Sequence, residues 1–154
     1  MSDSPTSPSP LDEVQGTLAK RRAKIVEDLF VDLDVPHYDD PPVTMRFQPV
    51  EHAVIKAALQ KAEKGPKAER AEAEVRAHAD LLVKACVGIS SGDTSWDGFG
   101  DKDLAAELDV TEARAIAVCR ALYVTEGDLI SHANAVIRFS GYKETEIEGD
   151  LSGE

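Results

Sequence analysis

The residues best spaced for chemistry lie in DTSWDGFGDKDL, residues 93–104. Asp93, Ser95, Asp97, Gly98, Phe99 and Asp101 match positions one, three, five, six, seven and nine of a calcium-binding EF-hand loop. The twelfth position, which needs a bidentate glutamate, is Leu104, and the eighth is Gly100. The competing reading is a polar surface loop with glycine turns, whose last aspartate begins the next helix, and no metal site is expected. A second candidate, LAAELDVTEARAIAVCRALY at 104–123, has helix-turn-helix spacing, with a turn at Asp109-Val110 and Thr111 capping the second helix. A DNA reader places basic or amide side chains at the start of that helix. Here it starts Thr111, Glu112, Ala113, Arg114, and residues 101–123 carry five acids against three bases. Phosphate repulsion opposes docking, so a packed helical pair is the better reading.

His37, His52, His78 and His132 show no ligand spacing with one another or with Cys86 and Cys119. Neither a zinc site nor a Cys-His nucleophile can be built from neighbours in sequence. There is no glycine-rich phosphate loop and no serine elbow. The expectation is a protein that is not an enzyme and needs no cofactor. The basic cluster Lys20, Arg21, Arg22 and Lys24 falls on an amphipathic helix and reads as a solvated face. Arg22 lies on or beside its apolar stripe, where its stem can snorkel at an interface edge.

These residues must be carried by a chain of 154 residues, enough for one domain. A net charge of −12 argues against general nucleic-acid binding and suits a soluble cytosolic protein or one with a basic partner. The N-terminus has neither the basic nor the apolar region of a secretory signal, and the best apolar run, 81–89, is short and broken by Lys84, so no membrane contact is expected. The two cysteines lie in apolar helical contexts and read as buried free thiols. Residues 1–10, with three prolines and four serines, read as a disordered arm, and 143–154 as an acidic flexible tail. A single domain over 11–142 remains.

The expected fold class is α+β, mostly α: a helical domain with one β-hairpin, at 30–48, in the N-terminal third. Val31, Leu33 and Val35 alternate with Asp32 and Asp34, and after a turn at 36–42, Val43, Met45 and Phe47 alternate with Thr44, Arg46 and Gln48. That period of two marks half-buried strands, whose apolar face needs a helix or another chain to cover it. All eight prolines lie at or before Pro66, leaving the rest free to be helical. Helices are predicted at 11–29 (stripe Leu11, Val14, Leu18, Ile25, Leu29), from Pro49 to Lys64 (Val50, Val54, Ala57, Ala58), and at 67–87 (Ala71, Val75, Ala79, Leu82, Cys86). A loop at 90–100 precedes helices at 102–108 and 111–123. The last helix starts at Thr125, with Asp128 in the capping-box position, and stops at Gly141. No internal repeat is present.

FVDLDVPHYDDPPVTMRFQPVEHAV, AHADLLVKACVGI and RALYVTEGDLISHANAVIRFSGY, in that order, resemble the tail assembly chaperone-like proteins of long-tailed (siphovirus-type) phages of Actinobacteria. The resemblance covers about 29–142 and rests on phrases such as DLDVP, ACVGI and GDLISHANAVIRFSGY, not on a catalytic signature. It implies a non-enzymatic assembly factor in the host cytoplasm, absent from the mature virion. Such proteins bind the long helical tape-measure protein and keep it soluble while tail-tube subunits, a further partner, polymerise around it. Many such phages also make a longer form by ribosomal frameshifting. The surface expected to meet the partner is Leu129, Ile130, Ala133, Val136 and Ile137, with Leu11, Val14 and Leu18 of the first helix; the alternative is that these residues fill the protein's own core. Free hairpin edges would instead pair subunits into a homo-oligomer. Two other functions compete: a structural head-tail or tail protein retained in the virion, and a small DNA-binding regulator using 104–123.

Overall fold

The computed structural model describes residues 10–112 and 114–142, with side chains in the first helix from Gly16 onward. Helix α1 (Pro10–Asp28) leads into the antiparallel strands β1 (Val31–Asp39) and β2 (Pro42–Phe47). Helix α2 (His52–Glu63) and a 3-10 turn (Lys67–Glu69) precede α3 (Arg70–Ala85), which passes directly into β3 (Cys86–Ser91) and β4 (Thr94–Trp96). Three helices finish the chain: α4 (Lys102–Glu107), α5 (Ala115–Leu122) and α6 (Glu126–Phe139). The class is α+β, mostly α, with α3, α5 and α6 packed on one face of the sheet.

The hairpin forms as its alternation requires. Val43, Met45 and Phe47 are buried, while Asp32, Asp34 and Arg46 are exposed on the other face. There Arg46 donates to both carboxylate oxygens of its cross-strand partner Asp32 at 2.9 and 3.1 Å, and Thr44 Oγ1 donates to Asp34 at 2.8 Å. Such pairs hold the register that keeps the apolar set inward. The expected turn at 36–42 is shorter in fact. β1 runs on to Asp39 through an irregularity that sets residues 35–38 against Val43 alone, with His37 at φ 78° and a cis Asp40–Pro41 bond. Pro36 is thus absorbed as a bulge, which an edge strand tolerates.

The expected hairpin is present as β1 and β2, but it does not stand alone: the sheet has four strands in the order β1-β2-β3-β4. Cys86 and Val87 belong to β3 and not to the preceding helix, and the loop expected at 90–100 contains β4. In CVGISS only Ile89 is buried, Val87 is exposed and Gly88 has no side chain, so no alternation marks the strand. β3 pairs along β2, so the hairpin's second edge is occupied within the chain and β1 is left as an edge.

The main core lies between the sheet and α3, α5 and α6. Met45, Phe47, Val75, Ala79, Leu82, Val118, Cys119, Leu129, Ala133 and Val136 are buried there. Ala71, expected in the α3 stripe, is exposed, because it lies in the first turn of α3, beyond the packed face. A smaller cluster, Ile55, Leu81, Ile137 and Tyr142, fixes α2 against α3 and the end of α6.

Helix ends explain the remaining differences. α4 stops in a Schellman arrangement: Asp109 has φ 56°, its N–H bonds Ala106 O at 3.1 Å, and Val110 N–H bonds Ala105 O at 2.9 Å. α5 then begins at Ala115, after the extended Arg114, and not at Thr111. α6 begins where expected, with Thr125 Oγ1 accepting from Asp128 N–H at 3.0 Å. It ends with Gly141 N–H on Arg138 O at 2.9 Å and Tyr142 N–H on Ile137 O at 3.2 Å, Tyr142 and Ile137 sharing a cluster. Gly141 has φ +86°. Gly141→Ala is therefore expected to cost about 1 kcal/mol, read as a lower denaturant midpoint at unchanged slope.

Candidate interaction surface and buried polar network

Helix α1 stands apart from the core. Residues 16–30 are all exposed, including Leu18 (53%), Ile25 (60%), Val26, Leu29 and Phe30. The sequence makes this segment helical through its spacing of 18, 25 and 29, but nothing in the described chain covers the stripe. Among the described residues, the body grips it at its C-terminal end. Gln48 Nε2 donates to Glu27 O at 3.0 Å, and the Arg46 guanidinium sits 3.7 Å over the Phe30 ring. The same Arg46 is held by Asp32, whose carboxyl lies below its ordinary range chiefly through that hydrogen bond. The helix is thus aimed by the outer face of the sheet while its apolar side remains open.

The other expected contact residues lie elsewhere. Leu129, Ala133, Val136 and Ile137 are at most 1% exposed and fill the protein's own core, the alternative weighed for them. An amphipathic stripe has no way to show, from its spacing alone, whether the chain's own sheet or a partner covers it. Ile130 is half-buried against the same core. Leu18 is open, the side chains of Leu11 and Val14 lie outside the described residues, and so do residues 1–9 of the expected arm and the acidic tail, Pro10 being the first residue of α1.

Inside, a polar chain joins α6 to the sheet. His132 Nε2 lies 2.9 Å from Asp34 O and its Nδ1 lies 2.8 Å from the Tyr123 hydroxyl. A carbonyl only accepts, so Nε2 carries the proton and Tyr123 donates to Nδ1. Burial pushes the His132 pKa down, against the pull of its bond to Asp34 and of the Asp128 and Asp34 carboxylates, so the neutral ring fits both partners. Burial also raises the Tyr123 hydroxyl, with Met45 Sδ 3.3 Å away. Asp128 reaches His37 Nε2 on β1 at 3.1 Å. This arrangement suits structural locking: the Tyr-His pair is sealed from solvent and the hydroxyl is held protonated.

The other chemical groups are similarly occupied. Asp101 accepts from Asp103 N–H at 2.8 Å, Leu104 N–H at 3.4 Å and Asp97 N–H at 3.3 Å, capping α4 and closing its loop. No group of three or more His, Cys, Asp or Glu able to hold a metal occurs among the described residues. Burial pushes the Cys86 thiol up to about 11 and Cys119 higher still, which suppresses the reactive thiolate. Glu72 is held near 2, chiefly by Arg120, which bonds it at 2.6 and 2.8 Å and Glu126 at 3.1 Å, tying α3, α5 and the start of α6. Separated by 48 residues, Glu72 and Arg120 gave no signal in sequence. No helix among the described residues is long and apolar enough to cross a membrane.

No protein-family model matches this sequence, and no curated protein does so. Among solved structures, a crystal structure of the protein YqbN is similar with a TM-score of 0.44 and 14% identity, over 74% of this chain and 87% of that one.

Proposed function

We propose that this chain is a non-enzymatic tail assembly chaperone of a long-tailed phage, which binds the tape-measure protein and keeps it soluble in the host cytoplasm until the tail tube forms. The observation that carries the reading is α1, a 19-residue helix whose described apolar side chains are covered by nothing among the described residues, while its end is fixed to the sheet. A tape measure before assembly is a long helix with unburied apolar stripes, and helix-against-helix docking covers such a stripe. The net charge of −12 keeps the complex dispersed. The three sequence blocks that resemble tail assembly chaperone-like proteins support the same reading.

Chaperones of this kind act before the particle is complete. Quantitative mass spectrometry of purified virions is expected to find this chain absent, or far below one copy per tail. Its presence at a fixed copy number in washed particles would instead support a structural head-tail or tail protein.

A further inference from the structure

The open stripe of α1 is not uniformly apolar. Leu18, Arg22 and Ile25 follow at steps of four and three, so they lie on one face of the helix with Arg22 between the two apolar side chains, and Leu29 comes four residues later, just past the helix end. All four are exposed, and neither Arg22 nor the adjacent Arg21 forms an ion pair among the described residues. With Lys20 and Lys24 they make a basic block, in a chain that is otherwise strongly acidic. Of that block, Lys24 is paired, with Asp28 at 3.3 Å.

We propose that α1 selects its partner by charge: the occupant is an amphipathic helix whose apolar stripe carries an aspartate or glutamate, which pairs with Arg22 when the stripes close. This deepens the chaperone reading and rests on α1 as its docking helix. Arg22 keeps its stem on the apolar surface and its head at the seam, where removal of water strengthens a carboxylate pairing and makes a like charge costly. The same charge disfavours the other occupants. Two α1 helices paired in register, parallel or antiparallel about Arg22, set Arg22 against Arg22. An anionic lipid surface attracts the block but repels a chain whose net charge is −12.

The test uses the full chain and two labelled helical peptides of about twenty residues with identical leucine stripes, one with Glu and one with Lys at the central stripe position. Fluorescence anisotropy is expected to show the Glu peptide binding at least about tenfold more tightly, with the gap narrowing in salt. R22E is expected to reverse the order while leaving the melting temperature unchanged, because Arg22 is exposed and has no ion-pair partner among the described residues. Equal affinities, or no binding of either peptide, overturn the proposal. So does a dimer in sedimentation velocity that Leu18→Gln dissolves, which assigns the face to a second copy. Flotation of the chain with phosphatidylserine vesicles, lost in L18Q, assigns it to a membrane and also overturns the proposal. If R22E keeps the tape measure as soluble as the wild type does, the charge key fails while the chaperone reading stands. Peptide selectivity without tape-measure solubility leaves the key and removes the chaperone.

Discussion

Replacing His132 by leucine is expected to lower the unfolding free energy by about 3 kcal/mol, read from denaturant titration at about pH 7.5. The loss comes from what stays behind. The Tyr123 hydroxyl, 5% exposed as a residue, keeps only the Met45 sulfur, and the Asp34 carbonyl loses its donor on α6. Tyr123→Phe removes one hydroxyl and is expected to cost less, about 1–2 kcal/mol, with strong non-additivity in the double variant. The same site sets a pH dependence. The folded pKa of His132 is lowered, so below about pH 6.5 the unfolded chain binds the proton that the folded one refuses. This part of the stability is complete above the unfolded pKa and is lost as pH falls from there toward the lowered folded value. The groups around the ring are Asp34 on β1, Asp128 on α6 and Tyr123, all already part of that balance. His132→Leu removes the His132 share of the slope, while the carboxylates Asp32, Glu72 and Asp101, whose pKa values are depressed, lose their contributions only at more acidic pH.

The triple variant Leu18→Gln, Ile25→Gln, Leu29→Gln is expected to do the reverse: abolish tape-measure solubilisation while leaving thermal stability within about 0.5 kcal/mol of the parent. All three side chains are at least 42% exposed, so the body loses no core when they change. Glutamine keeps good helix propensity, which limits the change to the surface. Circular dichroism and a melting curve check the fold, and the soluble fraction of co-expressed partner checks the function. A matched core change separates the two effects. Leu129→Ala, at a residue 1% exposed on α6, is expected to cost about 3 kcal/mol and to act on the partner only by lowering the folded population.

The sequence carried the parts of this fold that depend on local order. The hairpin's alternation, the α6 cap at Thr125 and the stop at Gly141 each follow from side chains within a few residues of one another. β3 and β4 were hidden because their pairing with β2 supplies what their own side chains lack, with Ile89 alone buried in β3. The start of α5 was misplaced because Thr111 is a good cap in isolation, whereas Asp109 ends α4 in a left-handed turn and the next helix opens only at Ala115. For the interaction surface, periodicity found both apolar stripes and had no means of telling them apart. The α6 stripe closes against Met45, Phe47 and α3, while the α1 stripe closes against nothing described. That difference depends on the path of the chain between them, which local spacing does not encode.

The central claim is that this chain keeps a tape-measure protein soluble. The direct measurement is co-expression with a long helical phage tape-measure protein, comparing soluble partner with and without this chain and after capture through a tag on it. The account predicts that the partner is soluble only when the chain is present and co-purifies with it, and that the Leu18, Ile25, Leu29 triple variant loses both. A partner that aggregates equally with or without the chain, and is never retained by it, would contradict the account.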